Sequence, residues 1–336
     1  MGSTYSKAPE VETKYFPEEL AKVPQQTGKV IAVTGTTSGT GFTLAKALAQ
    51  KDAKVLLLNR PSERSTKSLA ALKEAVPEGD FEAVDCDLQS FESVRAAAET
   101  VKGSVDKVNA LVCNAGVMAL ADERTGDGYD LQIQTNVLSH FLLTKELFPL
   151  LVAAEAADGE ARVVTHSSGA RRGGPLEAKY FQKCEPMTLG GNGSNMVWPQ
   201  GARWKRYQQT KLAALCISQA LGDKCAEAGL NILSTSCHPG LAATNLQVTT
   251  ASDGGMGGWF TNQFMKLSQS QDDGTCGLLH ATAATDPIAN KGFYGPKGIT
   301  GPAVVLRADF KSDTPEQKDL LWGVCEAACG AFPVKT

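Results

Sequence analysis

The sequence has few histidines and no paired metal-binding motif, and it has no excess of positive charge. Its 336 residues include only four histidines, and its nine cysteines are scattered singly. It contains neither an H-E-x-x-H pair nor a C-x-x-C pair, so we expect no zinc site and no bound metal. Lys and Arg together number 33 against 36 Asp and Glu, which gives a formal net charge of -3. A polyanion such as nucleic acid is therefore not an expected partner.

Long apolar runs are also missing from the sequence. Runs such as residues 147–154 fall far short of the roughly 20 residues that a transmembrane helix requires. The first residues do not combine a basic region with an apolar stretch, so no secretory signal is expected. Scattered cysteines are typical of a reducing compartment, and we expect a cytoplasmic protein, with organelle import or peripheral membrane association left open.

The first six residues match the N-myristoylation pattern M-G-x-x-x-[ST], with Gly2 as the acceptor. A chance match or a cloning remnant is the alternative. A single acyl chain gives only marginal membrane attachment, so the pattern leaves a weak N-terminal lipid anchor open.

What the sequence does have is an alternation of strand-like and helix-like segments that begins near residue 28. The predicted strands cover residues 29–34, 54–59, 81–84, 108–113, 162–167 and 231–237. Helices between successive strands favour a mostly parallel sheet with helices on both faces, because each crossover must pack back onto the sheet. The expected fold is a single doubly wound α/β domain with six to seven strands.

Three segments depart from this alternation. Residues 1–27 are polar and contain three prolines, and we expect them to form an N-terminal arm outside the domain of residues 28–330. Residues 169–203 and 244–271 are rich in Gly, Pro, Asn or Ser. Because loops of this length are usually functional, the first is interpreted as an insert and the second as a candidate lid. A surface loop or an oligomer contact is the alternative for residues 244–271.

A glycine-rich turn, Thr34-Gly35-Thr36-Thr37-Ser38-Gly39-Thr40-Gly41, follows the first predicted strand and leads into a predicted helix. Glycines let the backbone turn sharply and approach a pyrophosphate, whose charge is met by the amides of a helix N-terminus. Strand, turn and helix in this order predict a dinucleotide site rather than a tight turn without a ligand. The expected contacts are Gly35, Thr37, Ser38, Gly39 and Gly41.

The G-x-x-x-G-x-G spacing and several later motifs resemble the pattern of the short-chain dehydrogenase/reductase family over about residues 28–330. The later motifs are Asp87-Leu88, Asn114-Ala115-Gly116, Asn136, Ser167-Ser168, Tyr207-x-x-x-Lys211, Pro239-Gly240 and Thr244. The resemblance implies a Rossmann-type fold and an oxidoreductase that uses a nicotinamide cofactor. It further implies cofactor contacts at Asp87, Leu88, Asn114, Ala115, Gly116, Tyr207, Lys211, Pro239, Gly240 and Thr244.

The end of the second predicted strand favours NADPH over NADH. It reads Leu58-Asn59-Arg60, at the position where an Asp would bind the ribose 2′-hydroxyl and repel a 2′-phosphate. Asn59 removes that repulsion, and we expect the Arg60 guanidinium to bind the phosphate. The alternative is that Arg60 is a solvated surface cation. The expected cofactor is NADP(H).

Reduction of a carbonyl by hydride requires a proton donor and hydrogen bonds to the carbonyl oxygen. Tyr207 and Lys211 lie four residues apart on a predicted helix, so the ammonium is expected beside the phenol, where it lowers the pKa of the phenol. We expect Tyr207 to act as the general acid/base. The resemblance implies that Ser168 binds the substrate oxygen, with Ser167 as the alternative. It also implies that Asn136 positions a water beside Lys211, and the alternative is a buried amide that satisfies backbone groups.

The long insert, His238-Pro239-Gly240 and Leu321-Trp322-Gly323 resemble the branch that contains retinol dehydrogenases, the WW-domain oxidoreductase and protochlorophyllide reductases. This resemblance implies a lipophilic substrate, and the apolar residues within 254–265 suit a lid over such a ligand. The expected activity is that of an NADPH-dependent carbonyl reductase or alcohol dehydrogenase.

Two alternative functions are kept. One is the light-dependent reduction of a C=C bond, as in protochlorophyllide reductases, although Leu241 and Ala213 stand where those enzymes carry cysteines. The other is a non-catalytic NADPH-binding scaffold or sensor, because one fold can serve many functions. The oligomeric state is left open, with a homo-oligomer as one alternative.

Overall fold

The computed structural model of the chain describes residues 9–194, 200–257, 261, 265–285, 288–307 and 314–334. Within these residues eight strands form one sheet in the order β3-β2-β1-β4-β5-β6-β7-β8. They are β1 (Val30–Thr34), β2 (Lys54–Asn59), β3 (Phe81–Asp85), β4 (Ala110–Cys113), β5 (Ala161–His166), β6 (Ile232–Cys237), β7 (Phe293–Gly295) and β8 (Val304–Leu306). All neighbouring pairs are parallel except β7 and β8, which are antiparallel.

The doubly wound, mostly parallel fold is therefore confirmed, and the sheet is wider than the predicted six to seven strands. The outermost strands, β7 and β8, contain three residues each. Runs this short carry no readable alternation of apolar and polar residues, and β8 takes part only because it pairs with β7.

Helices cover both faces of the sheet. They are α1 (Phe16–Lys22), α2 (Gly39–Ala49), α3 (Glu63–Ala75), α4 (Phe91–Ser104), α5 (Leu131–Ile133), α6 (Ser139–Asp158), α7 (Ala202–Glu227), α8 (Asn245–Ser252), α9 (Gln271–Ala283) and α10 (Pro315–Cys329). A π-helical turn, Gln134–Leu138, joins α5 to α6. Two hydrophobic cores result, one containing residues of α4, α6, α7 and α10, the other containing residues of α1, α2 and α9.

One helical stretch of the described chain, Leu131–Asp158, is long and apolar enough to cross a membrane by length and composition. Its most apolar window has a mean hydropathy of 1.5, and 67% of that window is buried inside the protein. Phe141 and Leu147 on this stretch belong to the first core. Packing inside the protein therefore accounts for its apolar character.

The N-terminal segment differs from the arm expected outside the domain. Phe16 of α1 and the following Val23 are buried in the second core. The carboxylate of Asp273 at the start of α9 accepts hydrogen bonds from the backbone N–H groups of Lys14 (2.9 Å), Tyr15 (2.7 Å) and Phe16 (3.0 Å). Two anchoring apolar residues seven positions apart show no sustained period, so the pattern did not predict this helix. Residues 1–8, with the Gly2 pattern, lie outside the described residues.

We expect Asp273→Ala to lower the free energy of unfolding by about 2–3 kcal/mol, because several backbone N–H groups lose their acceptor in a buried place. Asp273 is only 2% exposed. Urea unfolding followed by circular dichroism measures the change, and Asp319→Ala on the exposed side of α10 is the control, expected to change stability by less than about 0.5 kcal/mol. Coinciding curves for Asp273→Ala and the wild type would contradict this anchoring role.

All nine cysteines lie within the described residues, and each is a free thiol. Eight are buried, and Cys184 in the insert is partly exposed. Burial raises the pKa of the Cys86, Cys113 and Cys225 thiols to about 12. These thiols pack as small apolar groups.

Candidate active site

A cavity of about 2020 Å³ opens at the carboxyl ends of the parallel strands. In doubly wound sheets, ligands bind at this edge, where the strand order reverses. Here the reversal is at β1, which has β2 on one side and β4 on the other. The cavity is lined both by the glycine-rich turn and by Tyr207 and Lys211.

Close backbone packing shapes the glycine-rich turn. Gly35 has a φ of +72°, and a Cβ on it would lie 2.8 Å from the Cα of Ala115. A Cβ on Gly41 would lie 2.3 Å from the carbonyl oxygen of Gly35 and 2.4 Å from Asn114 Nδ2. Asn114 Nδ2 donates to the carbonyl oxygen of Thr34 at 2.9 Å, so this side chain connects the turn to the end of β4.

The turn leads directly into α2, whose first residues line the cavity. Ser38, at the N-cap, forms no side-chain cap hydrogen bond. The first amides of a helix have no partners within the helix and attract anions. Thr37, Ser38 and Gly39 thus lie where a phosphate group would meet the N-terminus of α2.

The end of β2 gives Asn59 hydrogen-bond partners that the sequence did not predict. Asn59 is buried; its Oδ1 accepts from the Thr36 N–H at 2.8 Å, and its Nδ2 donates to Thr36 Oγ1 at 2.7 Å. Asn59 therefore stabilises the glycine-rich turn through two hydrogen bonds to Thr36. Arg60 is exposed and lines the cavity, and so does Arg64, which donates to Ser38 Oγ. Arg64 was missed in the sequence, where only its position at the start of a predicted helix near Arg60 could have suggested it.

The remaining predicted cofactor residues also line the cavity. Asp87 Oδ1 accepts from the Gln89 N–H at 2.9 Å, which forms a turn after β3 beside Leu88. Thr244 is the N-cap of α8, in a capping box with Gln247. Other lining residues from the sequence prediction are Ala115, Gly116, Pro239 and Gly240.

Tyr207 and Lys211 of α7 lie at the inner end of the cavity. Tyr207 is 4% exposed, and burial raises the pKa of its phenol to about 12, whereas a hydrogen bond with Ser168 opposes the rise. The expected fall in this pKa beside Lys211 is therefore wrong for this structure, because the effect of burial is larger. Lys211 Nζ lies 5.6 Å from the centroid of the Tyr207 ring and donates to the His166 carbonyl oxygen at 2.8 Å. Burial lowers the pKa of Lys211 to about 8.

The two serines after β5 have different surroundings. Ser167 is buried, and its hydroxyl donates to the Lys211 carbonyl oxygen at 2.6 Å. Ser168 is hydrogen-bonded to the Tyr207 phenol and lines the cavity. The geometry favours Ser168 over Ser167 as the hydroxyl that would meet a substrate oxygen.

Asn136 lies in the π-helical turn, and its amide is hydrogen-bonded to Val117 and Thr210. Its Oδ1 accepts from the Val117 N–H at 2.8 Å, and its Nδ2 donates to the Val117 carbonyl oxygen at 2.8 Å. Nδ2 also donates to Thr210 Oγ1 at 3.1 Å. These contacts are those of a buried amide that satisfies backbone groups, and the positioning of a water beside Lys211 stays a prediction.

Two histidines near the site, His140 and His166, remain uncharged at neutral pH. Burial lowers the pKa of His166 to about 3, with smaller contributions from Lys211 and His238. Its Nδ1 lies 2.9 Å from Asn114 Oδ1. Burial also lowers the pKa of His140 to about 4, and His140 Nε2 lies 2.9 Å from Thr34 Oγ1. Both rings therefore serve hydrogen bonding within the fold.

The side of the cavity beyond Tyr207 is apolar. Trp204 packs edge-on against the Tyr207 ring, with 5.9 Å between centroids, and its Nε1 donates to the Gly255 carbonyl oxygen at 2.9 Å. The candidate lid thus contacts α7 at Gly255, while Trp259, Phe260 and Phe264 lie outside the described residues. Sequence reasoning did not find most of this apolar wall, which comprises Val117, Met118, Leu120, Trp204, Leu246 and Met256.

Known proteins share this sequence pattern. The family model of short chain dehydrogenases matches residues 29–180. An uncharacterized oxidoreductase from Schizosaccharomyces pombe is 38% identical over 67% of this chain and 63% of its own length. A short-chain dehydrogenase/reductase from Aspergillus calidoustus is 31% identical over 88% of this chain and 87% of its own. Polyprenol dehydrogenase of Danio rerio is 29% identical over 88% and 86%.

Solved structures share the fold. An uncharacterized protein from Mycobacterium paratuberculosis superposes with a TM-score of 0.71 at 27% identity, covering 96% of this chain and all of that one. A short chain dehydrogenase from Escherichia coli CFT073, complexed with NADPH, has a TM-score of 0.54 at 21% identity over 74% of this chain and 88% of its own. Sequence and fold therefore agree, and this chain belongs to the short-chain dehydrogenase/reductase family of oxidoreductases.

Proposed function

We propose that this protein is an NADPH-dependent oxidoreductase that transfers hydride between the nicotinamide and a carbonyl or alcohol group of a lipophilic small molecule. The observation that carries the proposal is the meeting of Ser168, Tyr207 and Lys211 at the inner end of a cavity that begins at the glycine-rich turn. Carbonyl reduction requires a proton donor and hydrogen bonds to the carbonyl oxygen, which Tyr207 and Ser168 can supply. Lys211 adds a cation beside the donor.

The cavity fits a dinucleotide on its own geometry. At Gly41 the backbone leaves no room for a Cβ, and the N-terminus of α2 faces the cavity without a side-chain cap. Such an arrangement suits a pyrophosphate. Arg64 donates to Ser38 Oγ, and Arg60 lines the same cavity next to Asn59, which brings no negative charge. Two guanidinium groups at this place support a 2′-phosphate and hence NADPH.

The bound reduced cofactor supplies the hydride, and the chain supplies the proton. The hydroxyls of Ser168 and Tyr207 would donate hydrogen bonds to the carbonyl oxygen as negative charge develops there. Burial keeps the phenol protonated at neutral pH, which suits a proton donor in the direction of reduction. The Lys211 ammonium beside the ring would stabilise the phenolate that remains, at about 1.4 kcal/mol for each unit by which the phenol pKa falls.

A lipophilic substrate is supported by the apolar wall defined above. Met118, Trp204 and Met256 belong to a small buried cluster that also contains Tyr207, so an apolar ligand would lie against the proton donor. The similarity to a polyprenol dehydrogenase points in the same direction.

A screen of NADPH oxidation over aldehydes, ketones, quinones and tetrapyrroles, in the dark and under light, tests this function. We expect oxidation in the dark with carbonyl compounds, fastest with apolar ones, and oxidation at least about 100-fold slower with Tyr207→Phe. Reaction only under illumination would instead favour C=C reduction. Tight NADPH binding without any turnover would favour the non-catalytic scaffold.

Cofactor preference gives a separate prediction. Because hydrogen bonds to charged groups contribute about 1.5–3 kcal/mol, we expect Arg60→Ala or Arg64→Ala to raise the KM for NADPH about tenfold or more. The KM for NADH should change less than about twofold, since NADH has no 2′-phosphate. Lys67→Ala is the control, because this cation also lies on α3 and forms an exposed ion pair with Glu63. Equal effects on both cofactors would contradict the assignment.

A further inference from the structure

We infer that the buried ion pair between Arg206 and Asp130 is a positioning device that holds the catalytic helix α7 in register with the turn that carries Asn136. The inference deepens the proposed function, on which it rests for the role of Tyr207. Arg206 directly precedes Tyr207 in the chain. It does not line the cavity, so it would act through Tyr207 and not on a substrate.

Arg206 is the largest fully buried side chain of the described protein. Its Nε lies 2.9 Å from Asp130 Oδ2, and both side chains are 0% exposed. Its Nη1 donates to the Gly191 carbonyl oxygen at 2.9 Å and lies 4.0 Å from Asp122 Oδ1. Within the described residues Nε, Nη2 and Asp130 Oδ2 form no hydrogen bond, so Nε and Oδ2 are held together by charge, and the Nη1 bond to Gly191 is the hydrogen bond that orients the group. Because an unpaired buried charge is strongly destabilising, the guanidinium must stay beside the Asp130 carboxylate.

Asp130 connects Arg206 to the start of the next helix. Its Oδ1 accepts from the backbone N–H groups of Gln132 and Ile133, each at 3.0 Å, and so caps α5. Since α5 continues into the π-helical turn, one carboxylate holds both the Asn136 turn and the residue next to Tyr207. A shift of either element would break one half of this arrangement.

Two weaker contacts extend the same connection along α7. Gln132 Nε2 donates to the Arg203 carbonyl oxygen at 3.2 Å, and Asn136 Nδ2 donates to Thr210 Oγ1 at 3.1 Å. Positions 203, 206 and 210 lie about one helical turn apart on one face of α7. These two hydrogen bonds and the ion pair of Arg206 between them fix the rotation of α7 about its axis and its position along that axis relative to α5.

An apolar pair of similar volume would pack as well, and such replacements are often neutral or stabilising. An ion pair adds a preferred orientation of the guanidinium relative to the carboxylate. Arg206 also reaches the insert through Gly191, so a single guanidinium orients the catalytic helix against two other segments. This arrangement predicts an effect on the rate of the chemical step rather than on cofactor binding.

The carboxyl group of Asp130 titrates in a pH range where kinetics can be measured. Burial raises its pKa to about 6, while the charge of Arg206 opposes that rise. The other titratable groups around the pair are Asp122, Cys184 and Tyr180. Below about pH 6 the carboxyl becomes neutral and the ion pair is lost, so kcat should show an acid limb there. Asp130→Asn, which is neutral at every pH, should lack that limb.

Three variants of the full chain test the inference. Asp130→Asn keeps a capping oxygen and removes the charge, and Arg206→Lys keeps the charge and removes the fork. Lys205→Met is the control, because Lys205 lies on the same turn in a half-exposed ion pair with Glu177. With 4-nitrobenzaldehyde as the probe, the first two should lower kcat about tenfold or more and change the KM for NADPH less than about twofold. The control should change neither.

A second readout needs no substrate. Tyrosine labelled with carbon-13 at Cζ reports the hydrogen bonding of each phenol, and Tyr207→Phe identifies one signal among the six tyrosines. We expect this signal to move in Asp130→Asn and Arg206→Lys and to stay in place in Lys205→Met. If the wild-type protein oxidises NADPH with none of the carbonyl compounds of the screen, the proposed function is contradicted, and the NMR result still decides on positioning. An unmoved Tyr207 signal in both variants, or a kcat that falls only in proportion to the folded fraction, overturns the inference.

Discussion

Tyr207→Phe is expected to lower kcat for carbonyl reduction by about 10²–10⁴-fold, the contribution of a positioned general acid. The change removes one oxygen and keeps the ring, so the edge-on contact with Trp204 is retained. Binding of NADPH should be weakened far less than turnover, because Tyr207 is one of many predicted cofactor contacts and the glycine-rich turn and the two arginines that would bind the phosphates are elsewhere in the cavity.

No other described group is placed to replace this phenol. His166 is uncharged and bonded to Asn114, and the Ser167 hydroxyl donates to a backbone carbonyl. Steady-state kinetics and fluorescence titration with NADPH measure the two effects separately. Tyr180→Phe is the control, since this buried tyrosine lies in the insert and does not line the cavity. A Tyr207→Phe enzyme within about tenfold of the wild-type kcat would remove the proton donor from the proposed mechanism.

Gly41→Ala is expected to weaken NADPH binding by about 100-fold or more, equivalent to about 2.7 kcal/mol. The new methyl group would lie 2.3 Å from the Gly35 carbonyl oxygen and 2.4 Å from Asn114 Nδ2. Neither neighbour is free to move, because Asn114 also holds Thr34. The turn must therefore open, and overpacking of this kind costs about 1–3 kcal/mol besides the lost phosphate contacts.

Isothermal titration with NADPH measures this loss. Gly103→Ala on α4 is the matched control, because nothing lies within 4 Å of its added Cβ. In a helix that exchange stabilises by roughly 0.5–1 kcal/mol, and it should leave NADPH binding alone. Binding by Gly41→Ala within about tenfold of the wild type would mean that the turn adapts and is not a rigid phosphate cradle.

The parts of the site that could be predicted are those that depend on local spacing. Tyr207 and Lys211 are four residues apart, and any helix brings such residues to one face. The strand, turn and helix from β1 to α2 likewise follow one another in the chain. Their chemistry can therefore be seen in the sequence before any tertiary contact is known.

The parts that could not be predicted depend on contacts between distant segments. Arg64 contacts Ser38 only because α3 packs beside the glycine-rich turn, and Met118 and Met256 share a wall although they are far apart in sequence. The N-terminal helix is fixed by Asp273, a carboxylate more than 250 positions later. The hydrogen bonds of Asn59 to Thr36 also join segments that are distant in sequence, so only its lack of negative charge could be read beforehand.

The distribution of cysteines has a practical consequence. Cys184 is the partly exposed thiol of the described chain, whereas the other eight are buried. A maleimide dye should therefore react at a single native position, on the insert that Arg206 contacts through Gly191. Attached there, the dye would report movements of the insert while ligands bind. Labelling of the eight buried cysteines would measure the fraction of molecules that have unfolded.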